Sequence, residues 1–119
     1  MEIIQISNEI QKKIKEIDSI RASIKDRGLE KARTISDYER AISIVIIKLK
    51  NGVEFTLDGE TVVNPQTTII EKLARGICHK EKLAMEEAES LYKSAVCNMQ
   101  AVLAQLNALQ SLFSKLDRG

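Results

Sequence analysis

Isoleucine recurs along the first part of the chain at Ile3, Ile6, Ile10, Ile14, Ile17, Ile20 and Ile24, in steps of three and four. The positions between them are polar, among them Gln11, Lys12, Lys13, Lys15, Glu16 and Asp18. Such a near-heptad stripe predicts an amphipathic helix over 2–27 and excludes a strand, whose period would be two. Gly28 interrupts, and glycine costs a helix interior about 1 kcal/mol relative to alanine. Its neighbours all tolerate a helix, so a kink and a short break are both open. The stripe resumes at Ala32, Ile35, Tyr38, Ala41/Ile42, Val45/Ile46 and Leu49. From Ala41 to Leu49 the chain is rich in β-branched residues, which favour strands. Because the stripe runs in from Ala32 without a breaker, helix to about residue 50 is the favoured reading, with strand as the alternative.

Asn51-Gly52 ends that element, with Gly52 suited to a left-handed C-cap. Val53, Phe55 and Leu57 then alternate with Glu54 and Thr56, and Asp58-Gly59 separates them from Glu60–Val63. Asp-Gly between two β-prone runs predicts a β-hairpin over about 53–63. Asn64-Pro65 punctuates. Thr68 and Glu71 have capping-box spacing, predicting a short helix over 68–75 that Gly76 ends or bends. A last stripe of Ala84, Ala88, Leu91, Ala95, Met99 (or Asn98), Val102, Leu106, Leu109, Phe113 and Leu116 predicts a helix over 78–117. At 1.5 Å per residue it would be about 60 Å long. Leu103 and Leu112 widen the stripe toward its end. The fold expected is mainly α: an elongated, coiled-coil-like antiparallel helical hairpin, with a small β-hairpin and short helix near the bend. The long apolar seams predict a homo-oligomer joined through helix stripes.

Size and composition sharpen this picture. With 119 residues one domain is expected. Aromatics are only 3% and proline occurs once, which suits long packed helices better than a ring-rich globule. A net charge of +1 argues against broad affinity for DNA or anionic membranes. No apolar run approaches the roughly 20 residues of a membrane span, and no secretory leader pattern is visible at the N-terminus. Cys78 and Cys97 lack CxxC spacing and point to a reducing compartment, the cytoplasm.

Candidate chemistry is sparse. Cys78-His79 are neighbours on a helix, about 100° apart, so they do not converge on one atom; a buried thiol beside a surface imidazole is expected. No second histidine offers a metal site. Glu86, Glu87 and Glu89 lie near Lys80, Lys82 and Lys93, and Glu89–Lys93 has ordinary helix-pair spacing. No phosphate loop or nucleophile constellation occurs, so no catalytic residue, metal or cofactor is expected. The remaining group is basic: Lys25, Arg27, Lys31 and Arg33 around Gly28, then Arg75 beside Gly76, and Lys80 and Lys82. A helix start with Arg and Lys nearby suits a phosphate, and Tyr38 or Tyr92 could stack on a base. The plain alternative is a solvated charged face and a helix-ending glycine, and the interleaved Asp26, Glu30, Asp37 and Glu39 argue against a nucleic-acid stripe.

Five groups of residues, in order, carry a resemblance. They are Glu30-Lys31-Ala32; Asp37-Tyr38-Glu39-Arg40-Ala41; Leu49-Lys50-Asn51-Gly52; Thr68-Ile69-Ile70 with Leu73-Ala74-Arg75-Gly76; and Ala88-Glu89 with Leu91-Tyr92-Lys93-Ser94-Ala95. Together they resemble a group of small, largely uncharacterised proteins of Firmicutes phages and prophages. The connection from Val53 to Pro65 is longer here than that pattern has. The resemblance implies a helical hairpin with a short helix at its bend, helix over 41–49, and a phage accessory role in the host cytoplasm. It makes Arg75, Gly76, Tyr38, Tyr92 and Lys93, joined by Lys80 from the basic group, the ligand-binding candidates. The leading expectation is a non-enzymatic anti-defence protein. It would sequester a phosphate-bearing nucleotide signal in a pocket between subunits, or block a host defence protein. The rivals are an accessory factor of phage replication or recombination, and a coiled-coil adaptor or holdase.

Overall fold

A computed structural model describes residues 2–118. It is mainly α, with a long N-terminal helix, a two-stranded antiparallel sheet, a short helix and a long C-terminal helix, as the hydrophobic pattern predicts. The elements are α1 (Ile3–Lys50), β1 (Phe55–Leu57), β2 (Glu60–Val62), a 3-10 turn (Thr67–Ile69), α2 (Ile70–Ile77) and α3 (His79–Arg118). The residues form two compact units. The first runs up to Gly28 and resumes at Ser90; the second is Leu29–Glu89.

In the first unit the start of α1 packs against α3. Ile17, Ile20 and Val102 are buried together, with Ile24, Met99 and Leu106 around them. The helices run antiparallel: passing from Ile17 to Gly28 on α1, the partner position moves back along α3 to Tyr92, whose ring lies over Gly28. The isoleucine stripe is only partly inside. Ile6 is fully buried, but Ile3 and Ile14 are exposed. A stripe stepping by 3.5 drifts about 20° per heptad on a straight helix of 3.6 residues per turn, so some members slide to the edge. Leu91 and Leu116 fall outside the α3 core line in the same way.

Gly28 does not break α1, which is one helix of 48 residues. A Cβ at Gly28 would sit 3.5 Å from Tyr92 Cε2, an ordinary contact. Gly28→Ala therefore meets no clash and gains helix propensity. It is expected to stabilise the protein by about 0.5–1 kcal/mol, read as a higher urea midpoint.

In the second unit the rest of α1 lies under the sheet and α2. Val45, Leu49, Ile70, Ala74 and Cys78 are the buried core, bordered by Ile42, Ile46, Phe55, Val62, Leu73 and Ile77. Residues 41–49 are helix. Their β-branched side chains are tolerated because helical spacing sends Val45 and Leu49 inward together, worth more than the propensity lost. The helix ends in a Schellman motif: Val53 N–H donates to Lys48 O at 3.0 Å and Gly52 N–H to Leu49 O at 3.2 Å. Gly52 takes φ +78° there. Strands β1 and β2 pair Phe55 with Val62 and Leu57 with Glu60. Asp58 and Gly59 both have positive φ, giving the type I′ turn that a two-residue hairpin favours.

The capping box does not form. Thr68 lies inside the 3-10 turn, and α2 begins at Ile70 with Ile69 as N-cap and no side-chain cap. The tight turn after Pro65 uses up the first helical residues, so Glu71 falls too close to the helix start to reach back. Gly76 neither ends nor begins an element: α2 continues to Ile77. Cys78 ends it, at φ −89° and ψ 27°.

Candidate functional site

The six ligand-binding candidates fall in both units: Tyr38, Arg75, Gly76 and Lys80 in the second, Tyr92 and Lys93 in the first. Tyr38 is half-buried on α1 and packs against the Val45–Leu49–Ala74 core. Gly76 is bare because Leu57 of β1 lies on it: a Cβ there would be 3.3 Å from Leu57 Cδ2. Its missing side chain thus serves the seat of the hairpin on α2. Tyr92 covers Gly28 in the first unit. Arg75 and Lys80 are exposed, on α2 and the first turn of α3 respectively. Lys93 is exposed on α3.

The two tyrosines and the glycine therefore have packing roles that account for them. The Tyr38 ring is held against the core of its unit, and the Tyr92 ring lies on Gly28. Arg75 and Lys80 lie at the surface, where a phosphate contact would be screened by solvent.

The basic cluster around Gly28 is partly neutralised. The Arg33 guanidinium donates Nε–H to Glu30 Oε2 at 3.0 Å and reaches Asp37 Oδ2 at 3.0 Å. The hydrogen bond from Arg33 holds the Glu30 carboxyl below its ordinary range, and the two carboxylates raise Arg33. This i,i+3 and i,i+4 network caps one arginine with two acids, the opposite of what an anion site needs. Nearer the start of α1, Lys12–Glu9 and Lys13–Glu16 are paired as well.

The junction of α2 and α3 bears out the expectation for Cys78 and His79. Cys78 is buried and His79 exposed. Burial, with Glu81 adding to it, pushes the Cys78 thiol up, so it is held as an inert thiol. His79 Nδ1 bonds the Gly76 carbonyl at 3.1 Å and so satisfies an end of α2. Both cysteines are free, and Cys97 is exposed on α3. Among the described residues no three His, Cys, Asp or Glu side chains come together as a metal cluster, and no helix is long and apolar enough to cross a membrane.

A groove of 370 Å³ lies in the first unit, between Ile20, Ser23 and Arg27 of α1 and Leu91, Ser94, Ala95 and Asn98 of α3. It was not among the sequence candidates, although Arg27 was in the basic group. Its walls are polar and apolar by turns, with one guanidinium at its rim.

What stands out instead is apolar and exposed. In the second unit Ile44 and Ile47 of α1 are 41% and 59% exposed, on the side of the helix away from Val45 and Leu49, and Leu29 projects in the same direction. Helical geometry at about 100° per residue puts these three on one side, with Arg33, Ser36 and Arg40 between Leu29 and the isoleucines. In the first unit Leu91, Leu103, Leu112 and Leu116 of α3 are exposed. The stretch of α3 from Ser94 to Ser114 contains no Asp, Glu, Lys or Arg, in a chain that is 29% charged. That gap is readable in the sequence; the inward stripe alone hides it, because it concerns the residues between. Compared with known proteins, the chain matches no family profile, no curated protein and no solved structure.

Proposed function

We propose that this protein is a non-enzymatic, self-associating binding protein that acts stoichiometrically by covering a partner protein. In the phage setting that its sequence pattern resembles, the partner would be a host defence protein. The observation that carries the reading is the exposed pair Ile44 and Ile47 on α1, opposite the face already used for the core. A helix with a second apolar face outward suits docking on another protein. The nucleotide-sequestering version has less support. Tyr38, Gly76 and Tyr92 are engaged in packing, and Arg33 is neutralised by Glu30 and Asp37. The same neutralisation, with a net charge of +1, speaks against a single-stranded DNA role.

The test is a phage challenge in a host carrying a defence system, with and without this protein. Restored plaque formation that is lost in Ile44→Asp/Ile47→Asp, a surface pair whose change leaves helicity intact, is the expected result. Calorimetry with cyclic oligonucleotides and cyclic ADP-ribose isomers should give no heat. Heat from any of them, or rescue that survives the double substitution, would overturn the protein-blocking reading.

A further inference from the structure

The groove between α1 and α3 in the first unit has no part in the function proposed above. Its volume of 370 Å³ lies at the lower end of the range for small-molecule sites. Small side chains make it: Ser23, Ser94 and Ala95 line the space between the helices and leave room that a leucine would fill. Its floor is apolar, with Ile20 only 7% and Ala95 only 9% exposed. Each wall is two helical turns long, about 10.5 Å. The helices are antiparallel, with Tyr92 over Gly28 and Met99 packed beside Ile20 and Val102. Arg27 and Leu91 therefore mark one end of the groove, and Ile20 and Asn98 the other.

The polar groups of this groove are uncommitted. Arg27 is half-buried, and among the described residues no carboxylate pairs with it. Its neighbour Asp26 projects about 100° away around the helix, and Glu30, the next acid along α1, is spent on Arg33. Among the described residues Ser23, Ser94 and Asn98 make no side-chain hydrogen bond, whereas Ser43 turns its hydroxyl back to the Glu39 carbonyl. An unpaired guanidinium is a fork shaped for a carboxylate. Half-buried beside apolar surface, it is screened less than a cation in open water.

We propose that the groove binds a small amphipathic monocarboxylic acid. The carboxylate sits on the Arg27 guanidinium, with the Ser23 hydroxyl one turn away as a second donor. The apolar body lies on Ile20 and Ala95, between the walls that Leu91 and Ser94 form, and the tail runs toward Asn98. The charge count selects the class. One guanidinium among neutral hydroxyls and an amide balances a single negative charge, whereas a phosphate dianion would keep one charge uncompensated over an apolar floor. An unbranched or slender acid fits a slot of this length. The isoleucines Ile44 and Ile47 belong to the other unit, so this site and the protein-covering face stand or fall separately.

Titration of the full chain with hexanoate, followed by nuclear magnetic resonance, tests the site. The Arg27 side-chain N–H and the Leu91 methyl signals should shift together and saturate, with a Kd of about a millimolar for so small a ligand. Hexanol, which keeps the tail and lacks the charge, should bind about tenfold more weakly, and hexylamine should not bind. Arg27→Gln should weaken hexanoate about tenfold. Ser94→Leu, at an exposed position, fills the groove and should abolish saturation. Both variants should keep the helical circular dichroism of the unsubstituted protein. Shifts that stay linear in hexanoate, or saturable binding that survives both substitutions, would overturn the proposal. So would inorganic phosphate moving the Arg27 signal at lower concentration than hexanoate, because the site would then select a phosphate. None of these outcomes bears on the phage challenge with Ile44→Asp/Ile47→Asp.

Discussion

Leu49→Ala is expected to destabilise the second unit by about 2–5 kcal/mol, the range for truncating a large buried aliphatic side chain. Leu49 is only 2% exposed. It shares the core with Val45, Ile70, Ala74 and Cys78, so α1 and α2 both lose contacts when it is cut back. The hairpin loses support as well, because Phe55 and Val62 border the same core. A two-stranded sheet of three-residue strands has little stability of its own. The cavity cannot collapse easily, since Gly52 and the Schellman bonds fix the end of α1 directly after Leu49. Urea unfolding followed by far-ultraviolet circular dichroism gives the value. Ile47→Ala, three-fifths exposed on the other side of the same helix, should change stability by less than about 1 kcal/mol.

Gly52→Val is the second large effect. Gly52 holds φ +78°, and a Cβ there would stand 3.2 Å from Asn64 Oδ1. Left-handed backbone costs an ordinary L-residue about 1–2 kcal/mol, and a β-branched one more. Asn64 itself has positive φ, so it has little room to withdraw. A loss of about 2–3 kcal/mol is expected from the two effects together. Gly59→Val is the control. Its φ is +81° but nothing lies within 4 Å of the added Cβ. It should cost the backbone term alone, and the difference between the two unfolding midpoints measures the crowding against Asn64.

The elements were legible because their signals were local. Spacings of three and four marked α1 and α3, Asp58-Gly59 marked the type I′ hairpin, and Gly52 marked the C-cap. Residues 41–49 were harder: Ile42, Val45 and Ile46 are as good in a strand, so the sequence favoured helix only through the unbroken stripe from Ala32, and burial of the Val45–Leu49 side accounts for it. The start of α2 was not legible because Thr68 and Glu71 have the spacing of a capping box, while the turn after Pro65 consumes Thr67–Ile69 first.

The candidate site was less legible. Arg75-Gly76 looked like a phosphate-binding junction. The glycine also seats Leu57, a partner nineteen residues away in sequence that no local pattern announces. The tyrosines looked like stacking residues because so few aromatics compete for attention. Tyr38 and Tyr92 each cover a helix surface of their own unit. The uncharged run of α3 from Ser94 to Ser114 was present in the sequence all along. It is inconspicuous because the residues between the members of the inward stripe carry little hydrophobic contrast.

Sedimentation equilibrium of the unsubstituted protein, across micromolar to millimolar concentrations, addresses the central claim most directly. The proposed self-association requires the weight-average mass to rise above that of one chain as concentration increases. A mass fixed at a single chain across that range would contradict it.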